Sequence, residues 1–253
     1  VWIEFDSRAT GTRVKLHGLW LPVDPLRADG PVLLYLHGAR WNVAGSAARM
    51  RRLQSLGFSV LAIDYRGFGK STAMLPSEEM AYEDARAAWD WLAQRHPQRP
   101  RYIFGHSLGG AIAIDLAARV EDERGTIVEG TFTSIPDVVS TMKWGWLPVG
   151  ALITQRFDAA SRVQRVGVPL LVVRGEHSDI LSEDTVAEMK RRHPQCEAVT
   201  MPGQGHAPLL GTRDMIARIQ AADEVAWNPI QPSEDPDAKR KPMARAWPSP
   251  TTS

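Results

Sequence analysis

Residues 31–36 and 58–63 are apolar at almost every position. Strands that alternate apolar and polar residues have one wet face; an unbroken apolar run bounded by turn residues marks a strand buried on both faces of a parallel sheet. Around these two runs the chain alternates short strand-like and longer helix-like stretches. Residues 46–56 have helical spacing and end at Gly57, and residues 77–96 place Ala81, Ala85, Ala88, Trp89 and Leu92 on one face with Pro97 just beyond. Trp89 and Trp91 stand two apart, so at most one of them faces the core. Further strands are predicted at 101–104, 126–129, 170–174 and 198–201, and further helices after residue 110, at 182–192 and at 211–222. Such a βαβ rhythm predicts an α/β fold with a mainly parallel central sheet flanked by helices. At the start, β-rich runs at 1–5 and 14–21, separated by Ala9, Thr10 and Gly11, predict an antiparallel hairpin or meander.

Two stretches break the rhythm. Residues 135–167, with Trp144, Trp146, Leu147 and Pro148 in their middle, are too long for a simple connection and read as a small lid insertion. From about residue 227 the composition turns to Pro, Ser, Asp, Lys and Arg without periodicity, which predicts a disordered tail after a single domain spanning 1–226. A formal net charge of +1 provides no electrostatic case for nucleic acid. Arg49, Arg51 and Arg52 read as a solvated helix face, and His17, His96 and His193 as surface residues. The single cysteine, Cys196, excludes an internal disulfide and reads as core; no Cys/His spacing suggests a metal. No apolar run reaches the roughly 18 to 20 residues that span a bilayer, and no signal peptide is visible. Because the chain opens on Val1 inside a strand-like segment, a removed signal or anchor is compatible with it; the compartment stays open, with the cytoplasm favoured.

Chemistry concentrates at Gly105, His106, Ser107, Leu108 and Gly109, a G-x-S-x-G stretch between a predicted strand and a predicted helix. A sharp turn there holds a serine hydroxyl out at the end of a sheet, and small neighbours let strand and helix approach. Serine is a poor nucleophile at neutral pH and needs a base, which in turn needs an acid to orient it. His206 lies in a glycine- and proline-shaped loop after the last predicted strand, and Asp179 just past the strand at 170–174. Both leave the carboxyl ends of parallel strands, the edge where open α/β sheets bind ligands. His106, across the turn from the serine, is expected to point away from it.

With Leu36, His37 and Gly38 after the third strand, Asp64 to Ser71 after the fourth, the serine turn, the Ser178–Asp179 loop and the His206 loop, the sequence resembles the α/β-hydrolase fold serine hydrolases, in their serine-aminopeptidase-like, monoglyceride-lipase and Bem46-like branch. The resemblance covers residues from about 30 to 210 and matches the chain order serine, acid, histidine. It implies a Ser107–His206–Asp179 triad, an oxyanion hole made by the backbone N–H groups of Ala39 and Leu108, and a loop-shaping role for His37. Glu176, Asp184 and Asp137 compete for the acid role; Asp179 is preferred because it stands in the Arg-Gly-x-x-Ser-Asp pattern of one branch. Residues 67–71 end like a phosphate-binding loop, but Asp64 stands where that loop needs glycine. Trp41, Trp144, Trp146, Leu147, Ile180 and Leu209 are expected around an apolar acyl pocket. The implied activity is hydrolysis of small carboxylic esters through an acyl-enzyme, without metal or organic cofactor. A peptidase, a thioesterase, a perhydrolase-type haloperoxidase and a non-catalytic scaffold are the alternatives.

Overall fold

The computed structural model describes residues 1–23, 29–39, 42–131, 157–178 and 180–205. Within them an eight-stranded sheet runs in the order β1-β2-β4-β3-β5-β6-β7-β8. Its strands are β1 (Trp2–Asp6), β2 (Arg13–Leu21), β3 (Val32–Leu36), β4 (Ser59–Ile63), β5 (Arg101–His106), β6 (Gly125–Glu129), β7 (Leu170–Gly175) and β8 (Cys196–Met201). β1 and β2 form the expected antiparallel hairpin, β2 pairs antiparallel with β4, and every remaining pair is parallel. The helices are α1 (Ala47–Ser55), α2 (Glu78–Arg95), α3 (Leu108–Ala117), α4 (Ala159–Arg162) and α5 (Glu183–Arg192).

The unbroken apolar runs belong to strands covered on both faces. On β3, Val32, Leu34 and Leu36 join one core while Leu33 and Tyr35 join another; Leu170 and Val172 separate from Leu171 and Val173 in the same way on β7. Alternate residues of a strand point to opposite faces, so two cores demand apolar residues at every position. Met50 and Leu53 bring α1 to the second core, whereas α2, α3 and α5 cover the first. The chain leaves β3 toward β4 on one side and returns past it to β5 on the other. That reversal opens a crevice at the carboxyl ends of β3 and β5.

Helix boundaries follow capping chemistry. Ser77 accepts the Met80 N–H at 3.3 Å ahead of α2, and Ser182 accepts that of Thr185 at 3.2 Å ahead of α5. Glu78 and Glu79 begin α2 and Glu183 and Asp184 begin α5, while Arg95 and the run Lys190, Arg191 and Arg192 close them, each sign matching the helix dipole. α3 differs: all ten of its residues are buried, as befits a helix running through the core. Trp89 is buried and donates its indole N–H to Asp122 at 2.8 Å, whereas Trp91 stays partly exposed under Arg95.

Three of the expectations need correction. His193 is only 5% exposed and its Nε2 meets the Val168 carbonyl at 2.9 Å. His17 sets its Nδ1 2.8 Å from Asp64, and His96 stacks on Trp20 with ring centroids 4.9 Å apart. Position near an element's end suggested exposure, but neighbours distant in sequence bury the His193 ring and leave those of His17 and His96 half-buried. Of the predicted lid only Phe157 onward is described: Phe157 packs on Tyr82, and Arg162 pairs with Asp115 at 3.2 Å. The rest of that stretch, the helix expected at 211–222 and the tail lie outside the described residues.

Glu123, on the turn between α3 and β6, is 4% exposed, and burial pushes its carboxyl up to about 8 from an ordinary 4.5, with Asp122 and Glu121 adding to the rise. A carboxyl raised on folding costs nothing below its unfolded value, destabilises progressively from about 4.5 to about 8, and does so fully above that. Glu123→Gln should therefore raise the urea midpoint at pH 9 and leave it nearly unchanged at pH 4.

Candidate active site

Ser107 occupies φ 54° and ψ −119°, a region that residues with a Cβ rarely enter and that costs of order 1–3 kcal/mol. Its neighbours make that conformation possible. A Cβ on Gly105 would overlap the Gly109 carbonyl, one on Gly109 the Leu36 carbonyl, and one on Gly110 the Thr131 hydroxyl. The missing side chains thus let α3 press against the ends of β3, β5 and β6. The Ser107 N–H donates to the Glu129 carbonyl at 2.9 Å, and the Gly110 N–H to that of Ser107 at 2.9 Å. The serine stands proud of the sheet at the head of a helix.

Leu108 opens α3, where the first N–H groups have no acceptor within the helix and favour an anion. The loop after β3 comes in from the other side: a Cβ on Gly38 would lie 3.2 Å from the Ser107 Cβ. His37 is buried, and its Nδ1 meets the Gly38 carbonyl oxygen at 2.7 Å. Burial lowers the pKa of this ring, leaving a neutral imidazole whose Nδ1–H donates. A trans peptide points its N–H opposite to its C=O, so holding the Gly38 carbonyl directs the Ala39 N–H away from His37. This is the loop-shaping role anticipated for His37.

Beneath the turn lies a charge network that the sequence did not reveal. Glu129, wholly buried at the end of β6, takes Arg49 of α1 at 3.3 Å. Arg49 was expected in solvent with Arg51 and Arg52, yet its side chain is 15% exposed. The expectation fails because the acid that draws it in sits on a strand far along the chain. His106 faces the same carboxylate, with Nδ1 3.7 Å away across the β5–β6 pair, so its ring is directed toward Glu129.

Beyond β7 and β8, backbone bonds join the two loops expected to carry acid and base. The Glu176 N–H donates to the Met201 carbonyl at 3.0 Å and that of His177 to Gln204 at 2.9 Å, while a Cβ on Gly175 would overlap the Gly205 carbonyl. Asp179 and His206 themselves lie outside the described residues, as do Asp137, Trp41, Trp144, Trp146, Leu147 and Leu209. Of the rival acids, Glu176 is exposed and accepts the Gly203 N–H at 2.8 Å, and Asp184 is exposed in the first turn of α5. Ile180 is half-buried against the core. A groove of about 730 Å³ between β1 and α2 contains none of these residues; Arg86–Asp90 and Arg119–Asp115 pair within it, and Glu4, Asp6, Glu79 and Glu83 add further acids to its lining.

Sheet, crevice and serine turn together define an α/β-hydrolase fold serine hydrolase. The family described as serine aminopeptidase, S33, matches over residues 28–159, and the chain belongs to it. An uncharacterized protein of Mycobacterium tuberculosis is 35% identical over 203 residues, covering 76% of this chain and 69% of its own length. The lysophosphatidylserine lipase ABHD12 of Danio rerio is 32% identical over 174 residues, and the protein bem46 of Schizosaccharomyces pombe 33% over 158. These matches cover 61% and 60% of this chain but only 45% and 52% of those longer relatives. Among solved structures, an esterase of Pyrococcus furiosus superposes with a TM-score of 0.72 at 18% identity, covering 88% of this chain and 89% of its own. Est1E of Butyrivibrio proteoclasticus, with ferulic acid bound, gives 0.67 at 18% identity, covering 88% and 96%. At such identities these two likenesses speak for the fold alone.

Two outcomes follow from this geometry. Glycine tolerates the backbone angles of Ser107 and alanine does not, so Ser107→Gly should melt above Ser107→Ala, by about 1 kcal/mol in urea unfolding. Arg49→Met leaves the Glu129 carboxylate buried and without its cation, and should cost about 3–5 kcal/mol in the same assay.

Proposed function

We propose that this protein hydrolyses small carboxylic esters with an apolar acyl group, with Ser107 as nucleophile, His206 as general base and Asp179 as the acid that orients it. The observation that carries the reading is the strained Ser107 at the head of α3, with the Gly38–Ala39 peptide beside it. The backbone bonding between the β7 and β8 loops supports bringing Asp179 and His206 together.

In the first step the Ser107 oxygen bonds to the carbonyl carbon while its proton passes to His206. Negative charge on the carbonyl oxygen falls to the Ala39 and Leu108 N–H groups, each worth roughly 3–4 kcal/mol in the transition state. The intermediate collapses, the leaving alkoxide takes the proton from the imidazolium, and an acyl-enzyme remains. Water, deprotonated by His206, then attacks that ester and releases the carboxylic acid and free Ser107. The relative named as a lysophosphatidylserine lipase supports ester substrates. The family description favours a second reading, an aminopeptidase, which needs an acidic group to bind a free amine. Glu176 is the candidate for that task; it is exposed and accepts the Gly203 N–H on one of its two oxygens.

Initial rates on p-nitrophenyl esters of increasing acyl length test the reading. Turnover should peak at one chain length and fall about 10⁴-fold in Ser107→Ala and Asp179→Asn. Near-normal rates in Asp179→Asn would pass the acid role to Glu176 or Asp137. No serine-dependent ester turnover, with amino-acid amides cleaved instead, would favour the peptidase. A Ser107 that also fails to react with a fluorophosphonate would leave a scaffold.

A further inference from the structure

The turn after β4 has no part in the chemistry above, yet it holds the loop that carries Ala39 at both ends. At the near end Tyr65 donates its hydroxyl to the His37 carbonyl at 3.2 Å, and the His37 ring packs on Tyr65 and Phe68 with centroids 4.6 and 5.7 Å away. At the far end Asp64, 1% exposed, accepts the Val43 N–H on Oδ1 at 2.8 Å. The other carboxylate oxygen accepts the Lys70 N–H at 3.2 Å and meets His17 Nδ1 at 2.8 Å. Its backbone is fastened too, its N–H to the His17 carbonyl at 2.8 Å and its carbonyl to the Ser71 hydroxyl at 2.6 Å. Gly69, at φ +51°, wraps so closely that a Cβ there would overlap the carboxylate.

We propose that Asp64 is a positioning residue for the oxyanion hole: by holding the Val43 N–H it fixes the far foot of the loop that presents the Ala39 N–H to Ser107. Val43 stands four residues beyond Ala39, so fixing Val43 limits how far that amide can stray. A donor misplaced by about 1 Å forfeits much of its stabilisation of the transition state and little of substrate binding. The anchor is rigid because one buried carboxylate gathers donors from β2, from its own turn and from the segment after the loop. Asp64 touches no reacting atom.

The proposal rests on the ester-hydrolase reading, so its test carries one measurement that does not. Asp64→Ala removes the acceptor, and replacing Val43 by its α-hydroxy acid removes the single donor. Each should lower kcat roughly tenfold to a hundredfold with KM within about threefold, and the two losses should not add. Asp64→Asn, whose amide oxygen can still take the Val43 N–H, should recover most of kcat. In parallel, hydrogen exchange should quicken at least tenfold in peptides spanning 37–43 and stay unchanged in those spanning 105–110. If Asp64→Ala does not fold, the Val43 variant decides by the same readings. Unchanged kcat or unchanged exchange in a folded, hydrolytically active variant overturns the proposal. If the wild type shows no Ser107-dependent hydrolysis, the ester reading fails, and the exchange result alone upholds or overturns the role of Asp64.

Discussion

A serine with a positive φ at the head of a buried helix is costly to build, and much of the architecture around it exists to hold it there. Gly105, Gly109 and Gly110 leave room for β5, α3 and the ends of β3 and β6 to meet almost backbone to backbone. The same approach that forces the strained turn brings Gly38 against Ser107. The strained serine and the loop proposed to form the oxyanion hole are therefore two consequences of one packing contact. Loosening it would relax the serine and part the two together.

The loop is in turn referenced to the sheet through the residues after β4. Three successive side chains there reach three different elements: Asp64 the segment entering α1, Tyr65 the His37 carbonyl, and Arg66 the Asp84 carboxylate of α2. Arg66 also donates to Ser7 of the N-terminal hairpin at 2.7 Å. A single turn thereby ties the edge hairpin, α2 and the loop after β3 to one strand end.

Buried charges mark the places where sequence reasoning fell short. Arg49 meets Glu129, Arg66 meets Asp84, and Arg162 meets Asp115, each pair joining different parts of the fold. An arginine on a polar helix face looks solvated until the packed neighbour supplies an acid. Desolvation makes such a charge expensive without its partner, so pairing follows from tertiary packing and leaves no local pattern. An acid at the end of an apolar strand followed by glycines, as at Asp64, is the one signal that was available.

From the residues alone one could read the doubly buried strands, the capped helices, the antiparallel hairpin and the strand-serine-helix turn. These depend on period, capping and glycine placement, which are local and act wherever the chain happens to fold. Apolar residues at every position of β3, and at the first four of β7, already imply cover on both sides. The strand order, the crevice it opens between β3 and β5, the face to which each buried charge turns, and the meeting of Gly38 with Ser107 were decided only by the tertiary structure. Most are contacts between segments tens of residues apart, settled by which surfaces exclude water together, and no short window of sequence contains both partners.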